Sequence, residues 1–166
     1  MRSAGLAPRS VPGEQFVYAL LNLVGETLPA MAIVRQAVRL AKGRRRADVQ
    51  RAAVAAADTL AEMVQPMAAA LFEHHRAAGR RLVLATTTPY DLVAPLAARL
   101  GLDDVVATRY GVDADGRYDG TLDGPFVWST GKLVAVRAWA TEHDIDLAAS
   151  YAYSDSVYDK IGRAHV

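Results

Sequence analysis

Three groups of residues could act together on a phosphate. Thr86-Thr87-Thr88 follows the apolar run Leu82–Ala85 and stands at an expected helix start. Hydroxyls and free backbone N–H groups at a helix N-terminus suit an anion. Lys132, in Ser129-Thr130-Gly131-Lys132, also opens an expected helix. A cation there opposes the helix macrodipole and calls for a local anion. Asp155 and Asp159 follow the apolar stretch Ala148–Tyr153. Two carboxylates so spaced past a strand can converge on magnesium, which takes oxygen ligands and commonly uses one or two carboxylates plus phosphate. Each group has a plainer alternative: a strand-end or capping threonine, an exposed lysine, an N-cap with a surface acid. The three together raise one another's weight.

The elements that must position them read as follows. Residues 1–13, rich in Gly, Pro, Ser and Arg, are expected to be irregular. Helices are expected over about Glu14–Val24, Pro29–Ala41 and Asp48–Val64, with Asp48 as N-cap and Val54, Ala57 and Leu60 at helical spacing. A further helix runs from Pro66 to Ala78 and stops at Gly79. A strand at 81–85 leads to a helix with Thr88 as N-cap, Pro89 first, and Leu92, Val93, Leu96 and Leu100 inward. A strand over Asp104–Tyr110 precedes a hairpin turned by Asp115-Gly116, with Val112 and Tyr118 on its arms. An amphipathic helix, Thr130–His143, and a strand, Ala148–Tyr153, complete the order. Strands alternating with helices from residue 81 onward imply a parallel α/β sheet.

Composition excludes several classes. With 52% hydrophobic residues a substantial core is possible, and a net charge of +1 gives no electrostatic case for nucleic acid. The densest basic run, Arg44-Arg45-Arg46, reads as a solvated loop. Without cysteine there are no disulfides or thiolate metal sites. Phe16–Val34 is interrupted by Asn22, Glu26 and Pro29, so no membrane span is expected and the protein is read as soluble and cytoplasmic. His74, His75 and His143 read as surface or core residues. No Gly-rich strand-to-helix turn supports a nucleotide-binding domain.

From about residue 60 to 159 the sequence resembles the haloacid dehalogenase (HAD) superfamily, in its phosphoserine-phosphatase-like group. Leu82-Val-Leu-Ala-Thr-Thr-Thr88 looks like the second superfamily motif, Gly131-Lys132 like the third, and Tyr153-Ser-Asp-Ser-Val-Tyr-Asp159 like the fourth. The resemblance implies a partial HAD-like Rossmannoid core over 65–159 and an N-terminal helical cap over 14–64. It implies that Thr86, with N–H groups near Thr87 and Thr88, holds the phosphoryl group, and that Lys132 neutralises it and steadies the nucleophile. It further implies that Asp155 binds Mg2+ and that Asp159 orients Lys132 or a metal-bound water. The implied activity is hydrolysis of a small phosphorylated metabolite, with phosphoserine or a lipid-derived phosphate among the candidates. The apolar cap residues Phe16, Tyr18, Leu20 and Met31 are read as cap–core packing.

The superfamily's first motif, Asp-x-Asp-x-Thr after an apolar strand, is missing before the expected cap. Asp113-Ala-Asp115 and Asp144-Ile-Asp146 lie in a turn and a loop instead. Truncation is the favoured reading, and a phosphate-binding module without catalysis is the alternative. Under either, the chain alone is expected to be inactive. The closing Lys160–Val166 heptapeptide, which matches what one frame of a common sequencing adapter encodes, is expected to be non-native.

Overall fold

The computed structural model describes residues 36–128, 130–154 and 163–164. The chain divides into two compact units, Met1–Ala37 and Val38–Val166, and all that follows concerns the second. The helix expected over Glu14–Val24 and the first part of the one expected over Pro29–Ala41 lie outside the described residues. Residues 36–41 are helical.

Helix α1, Arg46–Glu62, is followed by α2, Pro66–Ala77, with Pro66 in its first turn. Strand β1 spans Val83–Thr86 and helix α3 Tyr90–Arg99. Strand β2, Asp104–Ala107, pairs in parallel with β1, matching Val83 to Asp104 and Thr86 to Ala107. A parallel pair requires a crossover, and α3 supplies it. The hairpin β3–β4, Tyr110–Val112 with Tyr118–Leu122, is antiparallel and pairs Val112 with Tyr118 as expected. Gly116, at φ 72°, closes its turn in the left-handed region that glycine tolerates. Helix α4, Thr130–Glu142, follows. The short strand β5, Tyr151–Ala152, pairs in parallel with β6, Arg163–Ala164. The result is an α/β fold with parallel pairing. Its core cluster joins Val106 of β2, Val127, and Ala135 and Val136 of α4, with Val83 and Ala85 of β1 packed against it.

Several boundaries differ from the sequence pattern for identifiable reasons. The strand expected over 104–110 is two strands. Thr108 leaves the ladder because its carbonyl accepts from Tyr90 N at 2.9 Å and its hydroxyl oxygen from Val127 N at 3.1 Å. The strand expected over 148–153 is shorter because the Asp146 side chain accepts from Ala148 N, winding Leu147–Ala149 into a 3-10 turn. Helix α1 begins two residues early. Asp48 lies in its first turn, paired with Arg51 rather than capping. Its buried face is Ala53 and Ala57, whereas Val54 and Leu60 are exposed, because close packing on α3 admits only small side chains. On α3, Val93 and Ala97 are buried and Leu92 is exposed. Pro89, not Thr88, occupies the capping position.

Candidate active site

Because β1 and β2 are parallel, their carboxyl ends share one edge, the place where ligands bind in open α/β sheets. Thr86 is the last residue of β1. Its hydroxyl donates to Thr88 Oγ1 at 3.2 Å and accepts from Thr88 N at 3.2 Å. The structure thus gathers Thr86 and Thr88 into one small turn, with Thr87 between them half-buried. The hydroxyl that failed to cap α3 holds this turn.

Lys132 lies in the first turn of α4, which packs on both β1 and β2. The local geometry depends on Gly131. A Cβ there would stand 2.2 Å from the carbonyl oxygen of Phe126, closer than any relaxed contact. Gly131 N donates to Trp128 O at 2.8 Å, which fixes the entry into the helix. Asp155 and Asp159 lie outside the described residues. Two carboxylates form a hard-oxygen donor set that suits Mg2+. Among the described residues no cluster of three or more His, Asp or Glu could hold a metal.

The two Asp-x-Asp pairs of the sequence have structural work. Asp113 Oδ1 accepts from the backbone N–H groups of Asp115 and Arg117 in the hairpin turn, and Asp146 caps the 3-10 turn.

Beside the strand ends lies a cleft of about 360 Å³ lined by Arg46, Tyr90, Asp91, Arg109 and hairpin residues. The Arg109 guanidinium stacks 3.6 Å over the Tyr90 ring, joining the segments that leave β1 and β2. At its base Asp91, 7% exposed, accepts from Arg46 Nε and Nη2, Gln50 Nε2 at 2.8 Å and Tyr118 Oη at 3.0 Å. Burial pushes the Asp91 carboxyl up, but the hydrogen bonds from Arg46, Gln50 and Tyr118 outweigh it and hold it below the usual carboxylate range. Burial, and next the bond to Asp91, push the Tyr118 phenol well up, so it stays a donor. The sequence pattern missed this network and treated Arg44–Arg46 as solvated. The available signal was an aspartate inside an otherwise apolar helix start.

His75, near the end of α2, is also buried, at 5% exposure. Burial first, then the charges of Arg80 and His74, hold its pKa below the usual histidine value.

The family profile of haloacid dehalogenase-like hydrolases matches residues 4–160. The chain belongs to this family. It is 36% identical over 127 residues to the "Inhibition of morphological differentiation protein" of Streptomyces azureus, covering 71% of this chain and 46% of that protein. It is 40% identical over 89 residues to "Phosphoserine phosphatase SerB1" of Mycobacterium tuberculosis, covering 54% of this chain and 29% of that one. The chain therefore spans less than half the length of these curated relatives. In fold it matches a crystal structure described as a protein with unknown function from Bordetella pertussis Tohama I. The TM-score is 0.72 at 27% identity, over 88% of this chain and 66% of that one. The HAD-like α/β fold expected from the second, third and fourth motifs is the one observed.

Proposed function

We propose that this chain carries the phosphate- and metal-binding part of a HAD-type phosphatase that hydrolyses a small phosphomonoester through an aspartyl-phosphate. The observation that supports this best is the placement of the Thr86–Thr88 hydroxyl turn at the shared carboxyl edge of β1 and β2, in a chain whose family match runs from residue 4 to 160. The named phosphatase among the relatives adds to it. In this reading the Thr86 hydroxyl and the N–H groups beside it donate to phosphoryl oxygens, and Lys132 balances their charge. Preorganised donors of this kind are the main source of rate in phosphoryl transfer. Asp155 would hold Mg2+, which when bound neutralises phosphoryl charge, and Asp159 would orient Lys132. Residues 14–64 would act as the cap that selects the substrate.

The two aspartates ahead of β1, Asp48 and Asp58, both lie within α1, so neither follows an apolar strand as the covalent nucleophile of the family's first motif does. The 166-residue polypeptide is accordingly inactive alone. The same reading gives the protein a cytoplasmic setting. Among the described residues no helix is long and apolar enough to cross a membrane.

The test is a titration of the purified chain with inorganic phosphate in the presence of Mg2+, alongside an assay of phosphate release from a panel of phosphomonoesters. The expected result is binding that Thr86→Val and Lys132→Ala each weaken, with no turnover. Magnesium-dependent phosphate release that Lys132→Ala abolishes would overturn the inactivity. Binding indifferent to both substitutions would overturn the site.

A further inference from the structure

Three segments at the carboxyl edge of the sheet meet on Thr108. This residue follows β2 directly and is 1% exposed. Its two polar groups serve different segments. The carbonyl oxygen accepts from Tyr90 N at 2.9 Å, at the start of α3 and just past the Thr86–Thr88 turn. The hydroxyl oxygen accepts from Val127 N at 3.1 Å, in the segment that leads into α4. Arg109, the next residue, reinforces the first attachment by stacking over the Tyr90 ring.

The second attachment leads to Lys132 in a few steps. Trp128 N donates to Phe126 O at 3.0 Å, so Val127 stands at the centre of a three-residue turn. The Val127 side chain is buried with Val106 of β2 and with Ala135 and Val136 of α4, while its N–H is turned to Thr108. Trp128 O in turn accepts from Gly131 N at 2.8 Å and from Lys132 N at 3.4 Å. The backbone that carries Lys132 is thus tied, through one turn, to the Thr108 hydroxyl. A buried N–H deprived of its acceptor is costly, so without that hydroxyl the turn must shift to find another.

The geometry points to Thr108 as a positioning residue that fixes the start of α4, and with it Lys132, against the Thr86–Thr88 turn. This inference rests on the proposed role of Thr86 and Lys132 in holding phosphate. One residue divides the labour. Its main-chain carbonyl secures the helix beyond the hydroxyl turn, and its side chain secures the helix that bears the lysine. Only the second task depends on residue type. A substitution at Thr108 therefore displaces Lys132 and leaves Thr86 in place.

The test is a titration of the full chain with inorganic phosphate in the presence of Mg2+, well below the melting temperature of every variant, with those temperatures measured in parallel. Thr108→Val keeps the branched shape and removes the acceptor. It is expected to weaken phosphate binding by about tenfold, because a displacement of about 1 Å in a group that must meet its ligand has effects of that size or larger. Thr108→Ser keeps the hydroxyl and loses a buried methyl, so its melting temperature should fall while affinity stays within about twofold of the unaltered chain. Thr108→Ala differs from Thr108→Ser by the hydroxyl alone. It should match Thr108→Val in binding and replaces it in the comparison if the valine variant does not fold. In a Lys132→Ala background Thr108→Val should change affinity by less than about twofold, and in a Thr86→Val background by about tenfold.

Equal losses of affinity in Thr108→Ser and in the variants without a hydroxyl would make the residue a packing contact and overturn the inference. So would a Thr108→Val that lowers only the melting temperature, or one whose effect is the same in both backgrounds. Thr86→Val and Lys132→Ala separate the two levels. If both weaken phosphate binding while Thr108→Val and Thr108→Ala bind normally, the positioning role alone fails. If neither does, or the unaltered chain binds no phosphate, the phosphate site fails and the positioning role fails with it.

Discussion

Thr86 and Asp91 stand five residues apart at the junction of β1 and α3, and their surroundings are opposites. Asp91 is buried, and its two oxygens accept from Arg46, Gln50 and Tyr118, which come from α1 and β4. Its carboxylate is committed to holding three elements together. Thr86 is half-buried, and among the described residues its hydroxyl engages Thr88, a neighbour in its own turn. A polar group satisfied by remote partners is a structural pin, whereas one satisfied by a local and exchangeable partner can turn to a ligand. The contrast predicts which substitutions cost stability and which cost binding.

The largest stability effect should come from Asp91→Ala. Breaking a buried ion pair costs about 3–5 kcal/mol, and the 40% exposure of the Arg46 side chain discounts this to about 2–3 kcal/mol. Urea denaturation measures it, and a loss below about 1 kcal/mol would erase the contrast with Thr86. The same carboxylate has a pH signature. Its folded pKa is depressed, so its contribution is fully present above the unfolded value of about 3.9 and is lost as pH falls through the folded value. Acid denaturation of Asp91→Asn should therefore lack the part of the slope below about pH 4 that the unaltered chain shows.

Gly131→Ala should cost about 1–3 kcal/mol, because the added Cβ meets Phe126 O and forces the α4 entry to shift. Phosphate binding through Lys132 should fall with it. Unchanged binding would mean that this entry does not position the lysine. Tyr118→Phe removes one of the donors to Asp91 and should cost about 1 kcal/mol by thermal or urea denaturation. The smallest stability effect belongs to Thr86→Val, expected within about 0.5 kcal/mol of the unaltered chain while phosphate affinity drops. A destabilisation as large as that of Asp91→Ala would place Thr86 among the structural pins.

Much of the fold was legible from local pattern. The helix from Pro66, the hairpin at Asp115-Gly116, the start of α4 at Thr130 and the strand ending at Thr86 all fall where breakers, turn pairs and apolar spacing put them. The differences arose where a hydrogen bond outside the strand ladder took over. Thr108 is drawn out of β2 by Tyr90 and Val127, and Asp146 shortens β5. Of the candidate site, the sequence located the Thr86–Thr88 turn and the helix start bearing Lys132. It could not show that Thr88 would bond to Thr86 instead of capping α3.

The sequence by itself determined the element order from Arg46 onward, the parallel α/β class and the residue types available to a phosphate, because propensity, capping and periodicity act over a few residues. Only the tertiary structure decided that Arg46 meets Asp91 across 45 positions and His75 meets Tyr153 across 78. Those pairings depend on which helix faces and strand ends come together when the core closes. An aspartate in an apolar helix start can signal burial, but no local pattern names the remote partner that a charged or titratable side chain will find.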